Sequence, residues 1–192
     1  MSALEPGGTT SAYDTRVTTG TLMTADDLFQ LPDDGWRYEL VHGELRKMSP
    51  SGARHGRVAA EIIASLLMHV KQHKLGAVFA SEAGFRISRD PDTVRAPAAA
   101  FVRAERLVDT PRFYDGPPDA AFEVVSPNDR YTEIAEKTRD WLLAGVQAVV
   151  IVDPGAKSAR IERRGGATPV VEVIEIDDVI PGWKLPLAEL FD

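Results

Sequence analysis

The chain contains no cysteine, which excludes disulfides, thiolate metal sites and a cysteine nucleophile. Histidine is also scarce, four in 192 residues, so a bound metal would have to be held largely by oxygen. His55, His69 and His73 form no zinc pattern, because the last two fall at the polar end of a helix. No apolar run approaches the roughly 18 to 20 residues of a membrane span, and the N-terminus lacks a basic segment followed by an apolar one. The expectation is a soluble, cytoplasmic protein with no membrane partner. Cationic residues are outnumbered, 22 Lys and Arg against 29 Asp and Glu for a net charge of −7. That argues against a broadly basic nucleic-acid surface, but leaves room for a local basic groove beside an acidic metal site.

What is present suits one domain, since 44% hydrophobic residues in 192 can build a core. Residues 1–20, rich in Gly, Ser and Thr, read as a mobile tail, and residues 21–192 as the folded domain. Thr24 with Asp26 and Asp27 predicts a short capped helix, and His42-Gly43 predicts a hairpin turn. Val58, Ile62, Leu66 and Val70 recur at helical spacing and predict a long amphipathic helix. "AVFASEAGFRIS", "RAPAAAFV" and "DAAFEVVS" each read as one strand.

A second long helix is predicted from a cap at Asn128 or Asp129 to Gly145, with Ile134, Thr138, Trp141 and Leu142 on one stripe. "VQAVVIVDP" has the pattern of a strand buried on both faces, so strand, helix and strand form a parallel crossover. "ARIERR" and "PVVEVIEID" about "GGA" predict a closing hairpin. The fold class is α/β, a mixed central sheet flanked by helices.

Glu123 shares a strand face with Ala121 and Val125. A carboxylate in apolar surroundings must be paired, protonated or bound to a cation. A salt-bridged or exposed glutamate and a functional acid both satisfy that requirement. Lys137 lies between Ile134 and Trp141 in helical phase, so its ammonium can reach inward or merely cover apolar surface with its stem. Glu82 and Glu39 are further acids within strand-like runs. Acids on neighbouring strands plus an inward lysine suit Mg²⁺ and phosphodiester cleavage, in which the cation polarises the phosphate and activates water.

"YELVHGEL", "MSPSGARHGRV", "SEAGFRI", "VRAPAAAFV", "AFEVVSPND", "EKTRDWLLAGVQAVVIVDP" and "IPGWKLPLAEL" resemble, in order and spacing, the Uma family of bacterial endonucleases in the PD-(D/E)XK restriction-endonuclease-like superfamily. The resemblance implies a restriction-endonuclease-like core and a Mg²⁺- or Mn²⁺-dependent endonuclease acting on DNA, with a homodimer as analogy. Glu123 matches the strand acid of that pattern, and Lys137 matches a lysine moved onto the following helix. Val125 stands where the wider superfamily keeps its lysine. Glu82 and Glu39 fall in the family's other acidic motifs, as metal-shell or supporting groups, and His55 and Arg57 fall in its "HG" segment.

The pattern departs at "RAPA": Ala98 occupies the position of an expected metal-binding aspartate. Loss of such a ligand predicts impaired cleavage. Three readings remain open: a weakened nuclease, a catalytically silent DNA-binding or regulatory module that keeps the nuclease fold, and a structural or oligomerisation domain.

Overall fold

The computed structural model describes residues 16–17, 22–48, 50–127 and 129–191. The expected tail therefore lies outside the described residues, except that Arg16–Val17 form a short strand, β1. α1 (Ala25–Phe29) is fixed by a capping box in which Thr24 and Asp27 satisfy one another's backbone N–H groups. β2 (Arg37–Val41) and β3 (Glu44–Met48) form the expected hairpin. Its turn residues His42 and Gly43 have φ of 50° and 78°, the left-handed pair that matches strand twist in a two-residue hairpin.

α2 (Ala53–His73) buries Val58, Ile62, Leu66 and Val70, the stripe the spacing predicts. β4 (Gly76–Ala80) and β5 (Phe85–Ser88) follow, then β6 (Thr93–Arg95) and β7 (Ala99–Arg103). Here the structure corrects the sequence reading twice. "AVFASEAGFRIS" is two strands, broken by a turn in which Ala83 N–H donates to the Ala80 carbonyl. "RAPAAAFV" is likewise split at Ala96 to Ala98, where Pro97 has no N–H to give to a ladder. In both cases the chain leaves one sheet and enters another.

β8 (Tyr114–Asp115), β9 (Ala120–Val124), α3 (Tyr131–Ala144) and β10 (Ala148–Asp153) come next. α3 starts after Arg130 rather than at the expected cap. Asn128 lies outside the described residues, and the Asp129 carboxylate instead accepts the Ser126 N–H at 2.7 Å. The helix stops at Gly145, whose φ of 110° a β-carbon would disfavour. β9 and β10 are parallel, as the crossover requires. β11 (Ser158–Arg163), β12 (Gly166–Val170), β13 (Val173–Glu175), β14 (Lys184–Pro186) and α4 (Leu187–Phe191) complete the chain.

One six-stranded sheet has the order β1-β3-β2-β6-β5-β8, a second has β12-β11-β10-β9-β7-β4, and β13 pairs with β14. The expected mixed α/β architecture is present, with two large mixed sheets in place of one. Apolar side chains of α2, α4 and the β13–β14 ribbon cover one face of the second sheet, around Phe122, Val150 and Trp183. Trp141 of α3 covers the other face with Ala121, Val149 and Ile151, and packs edge-on against Phe85 of the first sheet. α3 thereby ties the two sheets together at the place where both crossovers occur. Among the described residues no helix is long and apolar enough to cross a membrane.

Candidate active site

The junction between the sheets contains a cavity of about 290 Å³. Both strand-to-strand crossovers reach it, through Ser81 and through Ala96, Pro97 and Ala98. Glu123 enters from β9 on the face that carries Ala121, as strand alternation predicts. Trp141 Nε1–H donates to its Oε1 at 2.8 Å, and Lys137 Nζ stands 3.2 Å from its Oε2. The inward-reaching alternative for Lys137 is therefore the one realised. Its side chain is 5% exposed, and its ammonium also donates to the Ala96 carbonyl at 2.8 Å and lies 3.1 Å from Glu39 Oε1.

Glu39, a supporting candidate in the sequence, occupies the centre of the site at 2% exposure. It accepts the Ala96 N–H at 3.0 Å and Arg95 Nη1 at 2.9 Å. Arg95 then reaches Asp140 Oδ2 through Nη2 at 2.6 Å and Nε at 3.2 Å. Glu136 lies 3.7 Å from the same guanidinium and takes a bidentate pair from Arg46 at 2.9 and 3.1 Å. Sequence reasoning missed Arg95 and Asp140. Their signal was an arginine ending a buried strand, and an aspartate three residues beyond Lys137 on the same inward stripe.

Burial alone would raise the Glu39 carboxyl, but the charges of Lys137 and Arg95 outweigh it and hold the group at about 2. Glu123 moves the other way: burial pushes it up, the Lys137 charge opposes, and the Glu39 charge adds to the rise. Two acids on one ammonium are thus driven apart, one firmly ionised and the other drawn towards its neutral form. His55 also lines the cavity. Burial and the nearby Arg37 and Lys137 charges lower its imidazole, which hydrogen-bonds the backbone of Val124. Asp129, another lining residue, is raised by burial against the opposing Ser126 N–H.

Position 98, Glu123, Lys137, Glu39 and His55 come together in this cavity, and two other sequence candidates do not. Glu82 sits in the turn after β4 with its side chain 76% exposed, 3.4 Å from Arg37 Nη1. The broken strand carries it outward. Arg57 points away towards α4, where Nη2 donates to the Leu190 carbonyl at 3.5 Å.

The donor set does not fit the divalent cation implied by the resemblance. Among the described residues no three acids or histidines are grouped to hold a metal. Ala98 contributes a methyl group, the facing oxygens of Glu39 and Glu123 are engaged by Lys137, and the remaining oxygens take Arg95 and Trp141. Mg²⁺ demands near-octahedral oxygen coordination, whereas here an ammonium fills the space between the carboxylates.

A family model described as Uma2, "Putative restriction endonuclease", matches residues 25–188. Among solved structures the chain is similar to a crystal structure described as "a putative nuclease belonging to DUF820" from Anabaena variabilis ATCC 29413. The two are 17% identical with a TM-score of 0.78, over 88% of this chain and 97% of that one. At that identity the likeness speaks for the fold. No curated protein matches the chain.

Proposed function

The chain belongs to the Uma2 family, described as "Putative restriction endonuclease", and from that membership and the cavity we propose that it is an endonuclease domain directed at DNA phosphodiesters, with cleavage weakened by Ala98. The observation that carries this reading is the meeting of position 98, Glu123 and Lys137 in one cavity at the sheet junction. Hydrolysis adds water across a P–O bond: water oxygen joins phosphorus, and the departing oxygen leaves with a proton. The ionised form of Glu123, made more basic by burial, would take the proton that the attacking water gives up. Lys137 offsets negative charge on the phosphoryl oxygens once it releases one of its carboxylates. Burial and the Arg37 and Lys137 charges draw His55 towards its neutral form against its hydrogen bond to the Val124 backbone, and a neutral ring whose N–H is given to Val124 offers the site an acceptor nitrogen, suited to the attacking water rather than to the phosphate.

A carboxylate at position 98 would add the anionic oxygen that the present donor set lacks, and with it the Mg²⁺ or Mn²⁺ dependence expected of the family. Cleavage of plasmid and single-stranded DNA by Ala98→Asp against the parent chain tests the reading. A second reading, a silent DNA-binding module, is favoured by one specific observation: the ammonium of Lys137 already meets three acceptors. On that reading restoring the acid gives no gain. The dimer expected by analogy is read separately by sedimentation.

A further inference from the structure

A second concavity, about 620 Å³, runs along the outer flank of α3 beside β11. Four arginines line it, Arg139, Arg160, Arg163 and Arg164, against a single carboxylate, Glu162. In a chain of net charge −7 such a concentration is not a sample of the general surface. Two of the four are held in place by neighbours: Arg160 Nε pairs with Glu162 at 2.8 Å, and Arg163 makes a bidentate pair with Asp178 at 2.8 and 2.9 Å. Arg164 donates to the Leu142 and Leu143 carbonyls at the end of α3, which fixes its position without a carboxylate partner among the described residues. Arg139 stands on the exposed side of the helix.

The groove is placed to continue the candidate site. Glu123 is in register with Ile151, and Ile151 with Arg160, so Arg160 shares the sheet face of Glu123 two strands away, about 10 Å. α3 lies between them, and its first residue, Tyr131, follows Asp129 of the site cavity by two positions. Tyr131 is 77% exposed and also lines the groove. From Tyr131 to Leu142 the helix extends about 16 Å, long enough to follow a short stretch of one backbone strand.

We propose that this groove binds the phosphate backbone of the nucleic acid as it leaves the site around the N-terminus of α3, with Tyr131 stacking on a base at the turn. The proposal rests on the nuclease reading. A cluster of four arginines, an exposed aromatic in the same groove and proximity to the cavity favour a nucleic-acid strand over an acidic polypeptide.

Anisotropy with fluorescein-labelled duplex and single-stranded DNA, across a salt series, tests it on the parent chain, Arg139→Glu, Arg139→Glu with Arg164→Gln, Tyr131→Ala, and the distant control Lys71→Glu. Arg139→Glu alone keeps the test valid if the double variant fails to fold. The expected result is salt-dependent binding by the parent and the control. The double variant should bind about tenfold more weakly, with a salt slope lower by about one per arginine, and Tyr131→Ala should weaken single-stranded binding more than duplex binding. Binding by the parent that the groove variants leave unchanged overturns the groove and spares the nuclease reading. No DNA binding by the parent overturns both. Tighter binding of poly-glutamate than of DNA through the same arginines overturns the proposal in favour of a protein partner.

Discussion

Lys137 Nζ stands 3.1 Å from Glu39 Oε1, joining α3 to a strand of the other sheet. Lys137 also holds Glu123 of the second sheet at 3.2 Å, so one ammonium connects the two sheets as well as the two acids. Arg95 anchors the far side of Glu39 and carries the network on to Asp140. Buried charges of this kind add little net stability over apolar packing, but they are costly to unpair. The proposed function and the fold thus rest on the same side chains, and variants must be read for both.

Arg95→Met should destabilise the fold by about 3 to 5 kcal/mol, because it leaves Glu39 and Asp140 as buried carboxylates without their shared cation. Urea unfolding followed by tryptophan fluorescence measures this. Arg37→Met, which removes an exposed pair with Glu82 and a charge near His55, should stay within about 0.5 kcal/mol of the parent. Equal effects from the two would contradict the assigned network.

The two acids should give opposite pH dependences. Glu39 folds with its carboxyl at about 2, below the ordinary 4.5. Its contribution to stability is complete above about pH 4.5 and is lost as pH falls towards 2, up to about 3 kcal/mol. Glu123 folds with a raised value, so its contribution is complete below the unfolded value and is lost as pH rises through the folded one. Urea midpoints across pH should show a smaller acid-side loss in Glu39→Gln and, in Glu123→Gln, a flatter profile as pH rises above about 4.5. Carboxyl carbon NMR would locate both titrations directly.

Trp141→Phe removes the N–H that Glu123 Oε1 accepts. That hydrogen bond favours the ionised acid, so its loss should raise the Glu123 titration further, with a stability cost of about 1 to 3 kcal/mol. NMR of the same carboxyl carbon reads the shift. An unchanged titration would mean that the indole does not govern this acid.

Much of this arrangement was legible in the chain, and the parts that were not have physical reasons. Helical phase put Lys137 beside the apolar stripe but left open whether its ammonium turns inward, and strand alternation placed Glu123 opposite Phe122. Glu82 was misplaced because "AVFASEAGFRIS" carries no break as strong as proline, while the chain turns at Ala80–Ala83 and sends that acid to solvent. Glu39 ranked low because local pattern cannot distinguish a solvated strand acid from one enclosed by cations arriving from distant segments. Arg95 and Asp140 meet 45 positions apart, a pairing that depends on how α3 crosses the sheet junction and that local periodicity does not encode.

Glu82→Gln, introduced with Ala98→Asp, should leave cleavage within about twofold of the Ala98→Asp protein. Glu123→Gln in that background should reduce it by about two orders of magnitude or more. Plasmid nicking rates separate the two. A large loss from Glu82→Gln would return that acid to the site and contradict its outward placement.

The most direct test of the central claim is the Mg²⁺- and Mn²⁺-dependent cleavage rate of Ala98→Asp beside the parent chain, on plasmid and single-stranded DNA. A metal-dependent rate at least about a hundredfold above the parent's is the predicted result. Equal rates from a folded Ala98→Asp protein that binds DNA as the parent does would contradict the claim that the missing carboxylate limits cleavage.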